Sequence, residues 1–248
     1  MNERFAEGTS SLHRRDPKAK IIAATTLVTA SAISNSFTVA AMTLLLGIVL
    51  FLLTGLPARL VMKRLLAVNS FTLFLWLTLP FTYDGISFTG TGPLHVSSQG
   101  VQLAALISLK TNGIVLILIA LLGTSRIANI GHALEALHLP ERLCFILLFS
   151  YRYVFVIHQE YQRLVRAAKM RCFVPATTIH TYRTFGYLFG MTLVKSWNRA
   201  ARVHQAMVLR GFDGHLIPLS RDIYTRGDTV FLLISTALTL LLILANFV

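Results

Sequence analysis

Long apolar runs separated by basic or small polar stretches dominate the chain, at 21–33, 39–56, 65–81, 101–123 and 229–248. A helix crosses roughly 30 Å of hydrocarbon in about 20 residues, within a range of about 17–25. The runs therefore predict about five transmembrane helices, the first reaching that length only if it begins near Pro17. Asp16-Pro17 suits such a start, because Asp accepts from free helix N–H groups and Pro is tolerated at the first helical position. Two more apolar stretches, 143–150 and 185–194, are each too short to span and are followed by basic residues such as Arg152 or Lys195. They fit amphipathic helices lying under or partly within the membrane, with a re-entrant or spanning hairpin as the other reading. The 85–100 stretch, rich in Gly, Ser and Thr, reads as a loop with short strands as the alternative, and Trp76, Pro80 and Tyr83 fit an interfacial anchor.

Composition agrees with an all-α polytopic membrane protein. Of 248 residues, 54% are hydrophobic and 13% charged, with a mean hydropathy of +0.65; soluble domains carry about 25% charged residues. The net charge of +13 would point to nucleic acid in a soluble chain. Here topology accounts for it. Five Lys and Arg precede Ile21, three lie in 59–64, fourteen lie in 126–226, and Lys110 stands alone, while 34–38 and 82–100 have none. Under the positive-inside tendency the amino terminus, the second connection and the 124–228 segment are cytoplasmic and the carboxyl terminus is outside. No cleavable signal peptide is expected, since the first apolar run lacks a bounded core followed by a small-residue cleavage site. The predicted organisation is a cytoplasmic segment 1–20, membrane helices over 21–123, a cytoplasmic or interfacial helical region 124–228, and a last membrane helix 229–248.

Within 124–228 one phrase occurs twice, 39 positions apart: Ala167-Ala168-Lys169-Met170-Arg171-Cys172-Phe173 and Ala206-Met207-Val208-Leu209-Arg210-Gly211-Phe212. At helical spacing Leu164, Ala168 and Arg171 share one face, as do Val203, Met207 and Arg210. Each stripe ends in its arginine. A cation at a helix C-terminus gains about 0.3–1 kcal/mol from the backbone dipole, and Gly211 suits the left-handed residue that follows such an end, while Pro175 discourages continuation of the first helix. A single copy reads as an ordinary terminal charge. Two copies point to a pair of helix tips whose small residues allow close approach and whose guanidinium groups reach carboxylates or exposed helix carbonyls on a partner.

At these residues the chain resembles the transmembrane T component of energy-coupling factor transporters, whose hallmark is two Ala-Arg-Gly-like motifs ending cytoplasmic coupling helices. The resemblance extends through Leu12-His13-Arg14-Arg15-Asp16-Pro17-Lys18-Ala19-Lys20, Leu139-Pro140-Glu141-Arg142 and Tyr151-Arg152-Tyr153, and the first of these looks most like the cobalt/nickel branch, the CbiQ type. It implies a non-catalytic scaffold in a prokaryotic cytoplasmic membrane, partnered by two ATP-binding-cassette ATPases and by a membrane-embedded S component that selects the metal. ATP and Mg²⁺ would be used by the partner ATPases, with no cofactor bound by this chain. Arg171 and Arg210 carry over as the coupling residues, with Ala168, Met170, Cys172, Met207, Leu209 and Gly211 around them. Relative movement of the two tips would carry ATP-driven motion to the S component. The first tip departs from the pattern: Cys172 replaces Gly, at a cost if the backbone there is left-handed.

Other chemistry is sparse. There is no G-x-x-x-x-G-K-[ST] phosphate loop, no H-E-x-x-H pair and no paired Asp motif for Mg²⁺. His132 and His138 are six positions apart, on different helix faces, and Cys144 and Cys172 read as packing residues. Lys110, near the middle of its apolar run, costs about 2.5–3.5 kcal/mol on insertion scales. It either faces protein, water or a partner, making it a possible S-component contact, or snorkels to the interface. A freestanding secondary transporter is the alternative function, though no inverted repeat is visible, and an RNA-binding reading lacks a glycine-aromatic signature.

Overall fold

The computed structural model describes residues 10, 12, 13, 15–82, 97–214 and 225–247. Arg14, Tyr83, most of the 85–100 stretch and residues 1–9 of the amino-terminal segment lie outside the described residues. Eight helices occupy the described residues: α1 Pro17–Ile33, α2 Phe37–Thr54, α3 Ala58–Thr82, α4 Ser98–Leu121, α5 Ile127–Ala136, α6 Glu141–Met170, α7 Ile179–Val208 and α8 Arg226–Phe247. Two compact units make up the chain. Leu134–Ser220 is one, and the residues before and after it form the other.

Five of these helices are long and apolar enough to cross a membrane: α2, α3, α4, α6 and α8. α6 is among them because the 143–150 stretch is only the first part of a 30-residue helix. The first predicted span, α1, begins at Pro17 and has 17 residues, about 25 Å, the short end of the spanning range.

In the larger unit, α1 begins as the sequence predicts. Asp16 Oδ1 accepts from the Lys18 backbone N–H at 2.8 Å and Pro17 takes the first helical position. Leu27 of α1, Val39 of α2, Ile117 and Leu121 of α4 and Leu242 of α8 form one buried cluster. Small residues set the closest approach, since hydrophobic driving force between helices is weak in lipid and packing must replace it. A Cβ on Gly113 would lie 2.9 Å from the Leu44 backbone nitrogen, and one on Gly47 would lie 3.0 Å from the Gly113 carbonyl oxygen, so α2 and α4 touch backbone to backbone. Between α3 and α4 the side-chain amides of Asn69 and Asn112 exchange hydrogen bonds of 3.1 and 2.9 Å, and Trp76 Nε1 donates to Ser108 Oγ at 2.8 Å. The Trp76 ring that reads as an interfacial anchor thus also ties α3 to α4.

The ends of this unit are joined by buried polar groups. Asp228, 2% exposed at the start of α8, accepts from the backbone N–H groups of Asp16 and Thr225 and faces Arg15 at 3.7 Å. Lys20, 1% exposed, donates to Ser125 Oγ at 3.0 Å and Thr124 Oγ1 at 3.4 Å. Thr124, Ser125 and Asp228, which the charge pattern groups with the cytoplasmic segment, are therefore bonded to the amino-terminal end of α1.

Candidate functional site

The smaller unit is built on α6 and α7. Pro140 precedes α6, where its fixed φ and missing N–H do no harm. Pro175 keeps the connection from becoming helix, and α7 is capped by Thr178, whose hydroxyl accepts from the Thr181 N–H at 3.4 Å. The two helices are antiparallel: Phe212, beyond the end of α7, stacks on Phe145 near the start of α6 at 5.7 Å, and Tyr161 of α6 stacks on Phe189 of α7 at 5.0 Å. The 143–150 and 185–194 stretches thus lie within two long amphipathic helices packed on each other. Their facing sides leave an open apolar groove of about 900 Å³, walled by Phe149, Tyr153 and Ile157 on α6 and by Trp197, Val203 and Met207 on α7.

One charged cluster bridges the pair. Glu160 of α6, 8% exposed, accepts from Lys195 of α7 at 2.6 Å and from Arg163 at 3.1 Å, with Arg199 at 3.9 Å. Nothing in the spacing of single charges singles out Glu160; what makes it central is that α7 turns back along α6. We expect Glu160→Ala to loosen the helix pair, since three cations would lose their common anion. Faster amide exchange over 156–164 and 192–200, with the larger unit unchanged, checks this.

Both copies of the repeated phrase end their helices in the same way. At the first tip the Cys172 N–H donates to the Lys169 carbonyl (3.1 Å) and the Phe173 N–H to the Ala168 carbonyl (3.2 Å); at the second, Gly211 donates to Val208 (3.0 Å) and Phe212 to Met207 (3.0 Å). This is the Schellman arrangement, which satisfies carbonyls that a helix end leaves free. It requires a left-handed residue, supplied by Cys172 at φ 61° and Gly211 at φ 79°. The loss of Gly from the first tip has therefore not changed its turn. An L-residue in that conformation costs roughly 1–2 kcal/mol, so Cys172→Gly should stabilise the unit by about 1 kcal/mol and Gly211→Val should destabilise it by at least as much. Opposite shifts of the thermal midpoint in detergent check the pair.

The arginines are presented outward. Arg171 and Arg210 are exposed, and the apolar residue before each, Met170 or Leu209, is 88% exposed. Ala168 and Met207 are half-buried and face their own unit. The residues of each tip come together; the two tips do not, because the first ends α6 and the second ends α7, and these antiparallel helices of 30 residues are each about 45 Å long. The same cap also ends α5, where His138 is left-handed at φ 65° and Leu139 donates to the Leu134 carbonyl at 3.2 Å. Cap geometry is thus not specific, and the exposed apolar-arginine pair is what distinguishes the two tips.

Lys110 lies elsewhere, in the larger unit. Its Nζ donates to the carbonyl oxygens of Ala32 at 2.6 Å and Ser34 at 2.7 Å, capping the end of α1. Hydrogen bonds involving a charged group contribute about 1.5–3 kcal/mol each, enough to offset the insertion cost of about 2.5–3.5 kcal/mol. The charge is thus satisfied within the chain. Among the described residues no group of His, Cys, Asp and Glu is arranged to hold a metal ion, and Cys144 and Cys172 are free thiols.

Comparison with known proteins places this geometry. The chain is 36% identical over 84 residues to the nickel permease LarQ of Lactiplantibacillus plantarum, a match covering 34% of this chain and 30% of that protein. It is 26% identical over 249 residues to the energy-coupling factor transporter transmembrane protein EcfT of Exiguobacterium sibiricum, covering 95% of each, and 25% identical over 222 residues to EcfT of Bacillus subtilis, covering 85% of this chain and 84% of that one. The family model described as cobalt transport protein, CbiQ, matches residues 8–219, which take in all of α1 to α7 and both arginine tips. A multi-pass chain matched over that length belongs to the CbiQ family of cobalt transport proteins.

Proposed function

We propose that this chain is the coupling subunit of an energy-coupling factor importer, and that Arg171 and Arg210 each dock in one of two cytoplasmic ATP-binding-cassette ATPases. The observation that carries this reading is the duplicated tip: one cap, one exposed apolar residue and one exposed arginine, at opposite ends of a single helix pair. Two like contacts at opposite ends of an antiparallel helix pair suit a partner that is itself a pair of like subunits. The ATPases would bind ATP and Mg²⁺, and their opening and closing would move the helix pair. This requires tip contacts that differ between nucleotide states, because equal affinity shifts nothing. The amino terminus and tips then lie on the cytoplasmic side, as the basic loops suggest. A membrane-embedded S component would supply selectivity, with cobalt or nickel as cargo, the two metals that the family description and the LarQ name carry.

An S-component contact through Lys110 has less support, since its charge already caps α1. If Lys110→Met leaves assembly and transport unchanged, that contact is not made.

Purification of the tagged chain from its native membrane, followed by reconstitution in liposomes, tests the main reading. We expect two ATP-binding-cassette subunits and a further membrane subunit to co-elute, and ATP-dependent accumulation of Co²⁺ or Ni²⁺. Transport by the chain alone without ATP would overturn it in favour of a secondary transporter.

A further inference from the structure

The last residue of each repeated phrase is a phenylalanine two positions beyond the arginine, and the two have matching surroundings. Phe173, which closes α6, packs edge-on against Phe185 in the second turn of α7 at 5.7 Å and near His180 at 6.5 Å. Phe212, which closes α7, stacks on Phe145 in the second turn of α6, also at 5.7 Å. Each ring thus leaves the helix that carries its arginine and seats on the start of the other helix. The backbone between arginine and ring is fixed by the cap, because the N–H of each phenylalanine is held by the carbonyl five residues before it. From Phe212 the stacking continues along α6 through Phe145, Phe149 and Tyr153, with centroid spacings of 4.4 and 5.6 Å. Between the two ends the helices are joined again by the Tyr161–Phe189 stack and the Glu160–Lys195 ion pair.

We propose that Phe173 and Phe212 are positioning residues for Arg171 and Arg210: they clamp α6 and α7 at both ends, hold the two arginines at a fixed separation, and make the pair move as one body. The proposal rests on the coupling-subunit reading and, within it, replaces relative movement of the two tips by movement of the pair as one body. Two antiparallel helices held at a single point could scissor, and the tips would then part as the ATPases open. Helices held at both ends and at an intermediate point cannot do so without unstacking a ring. ATPase motion would accordingly reach the larger unit as a tilt or shift of the whole pair.

The test uses the full complex in lipid. Spin labels at Arg166→Cys on α6 and Arg202→Cys on α7, both exposed positions outside the repeated phrases, report the separation of the two ends, with Cys172→Gly removing the exposed native thiol. With the phenylalanines intact, the separation in the ATP-bound and nucleotide-free states should agree to within about one helical turn, ~5 Å. In Phe173→Ala or Phe212→Ala the distribution should broaden and metal transported per ATP hydrolysed should fall by about tenfold, the upper range for loss of an aromatic pair, while the ATPases stay bound. Phe→Tyr at either position should restore both. A larger nucleotide-dependent change with the rings intact overturns the proposal, as do Ala variants that remain narrow and fully coupled. Ala variants that lose the ATPases or the fold, with no rescue by Tyr, also overturn it, because the rings would then serve folding alone. If the unsubstituted chain binds no ATPases, the coupling-subunit reading falls and takes this one with it; if it binds them and the Ala variants match it, only the clamp falls.

Discussion

Replacing both tip arginines, Arg171→Ala with Arg210→Ala, should release the ATPases while leaving the chain folded. Among the described residues neither guanidinium makes a hydrogen bond or ion pair within the chain, and both are exposed. Substitutions at such positions change stability by about 0.5 kcal/mol or less. At a docked interface the same truncation leaves the partner's groups unpaired and costs about 2–5 kcal/mol, a loss of roughly 30-fold to several thousand-fold in affinity. The two effects differ enough to be read separately. Either single variant should retain one docked tip, and so lose less than the double variant, because the second contact is made at the high effective concentration set by the first. Size-exclusion chromatography of the complex gives assembly, and a detergent melt of the chain alone gives folding. Full assembly and coupled ATP hydrolysis by the double variant would remove the tips from the mechanism.

Gly113→Leu should have the largest effect on folding. A Cβ there would lie 2.9 Å from the Leu44 nitrogen, 3.0 Å from the Leu44 Cα and 3.0 Å from the Thr43 carbonyl carbon. These are backbone atoms, which cannot swing aside as the end of a side chain can. The substitution must push α2 from α4, disturbing the cluster that joins Val39 to Ile117 and Leu121. Overpacking of this kind costs about 1–3 kcal/mol and more where the backbone must move. Gly186→Ala and Gly190→Ala are the internal controls: both lie within α7, and a Cβ at either meets nothing within 4 Å. Each should stabilise its helix by about 0.5–1 kcal/mol. A melt in which Gly113→Leu is as stable as the parent would show that α2 and α4 are not held at this crossing.

Much of the helix layout is legible in the residues because its causes are local. Asp16-Pro17 starts α1 through a bond to Lys18, two residues on, and long apolar runs become long helices because a backbone in lipid must satisfy its own hydrogen bonds. The repeated phrase is readable for the same reason, since a helix end and its cap are decided within six residues. The length of α6 is not readable from apolar runs. From Arg152 onward its polar residues alternate with apolar ones that face α7, and a search for unbroken hydrophobic sequence stops at Ser150. Cys172 was legible as a departure from Gly, but not as a residue that adopts the left-handed turn regardless.

By itself, then, the sequence determined an all-α polytopic membrane protein with two arginine-tipped helix ends, because composition, periodicity and capping act over a few residues. Only the tertiary structure decided that Lys110 bonds to the carbonyls at the end of α1, that Glu160 gathers cations from α7, and that Phe173 and Phe212 each seat on the opposite helix. The Lys110 bonds join residues 76 to 78 positions apart and the Glu160–Lys195 bond residues 35 apart. At such separations the partner of a charge or a ring is chosen by where two helices cross, and that is set by small residues such as Gly47 and Gly113 and by the turn between α6 and α7, not by the residues being paired.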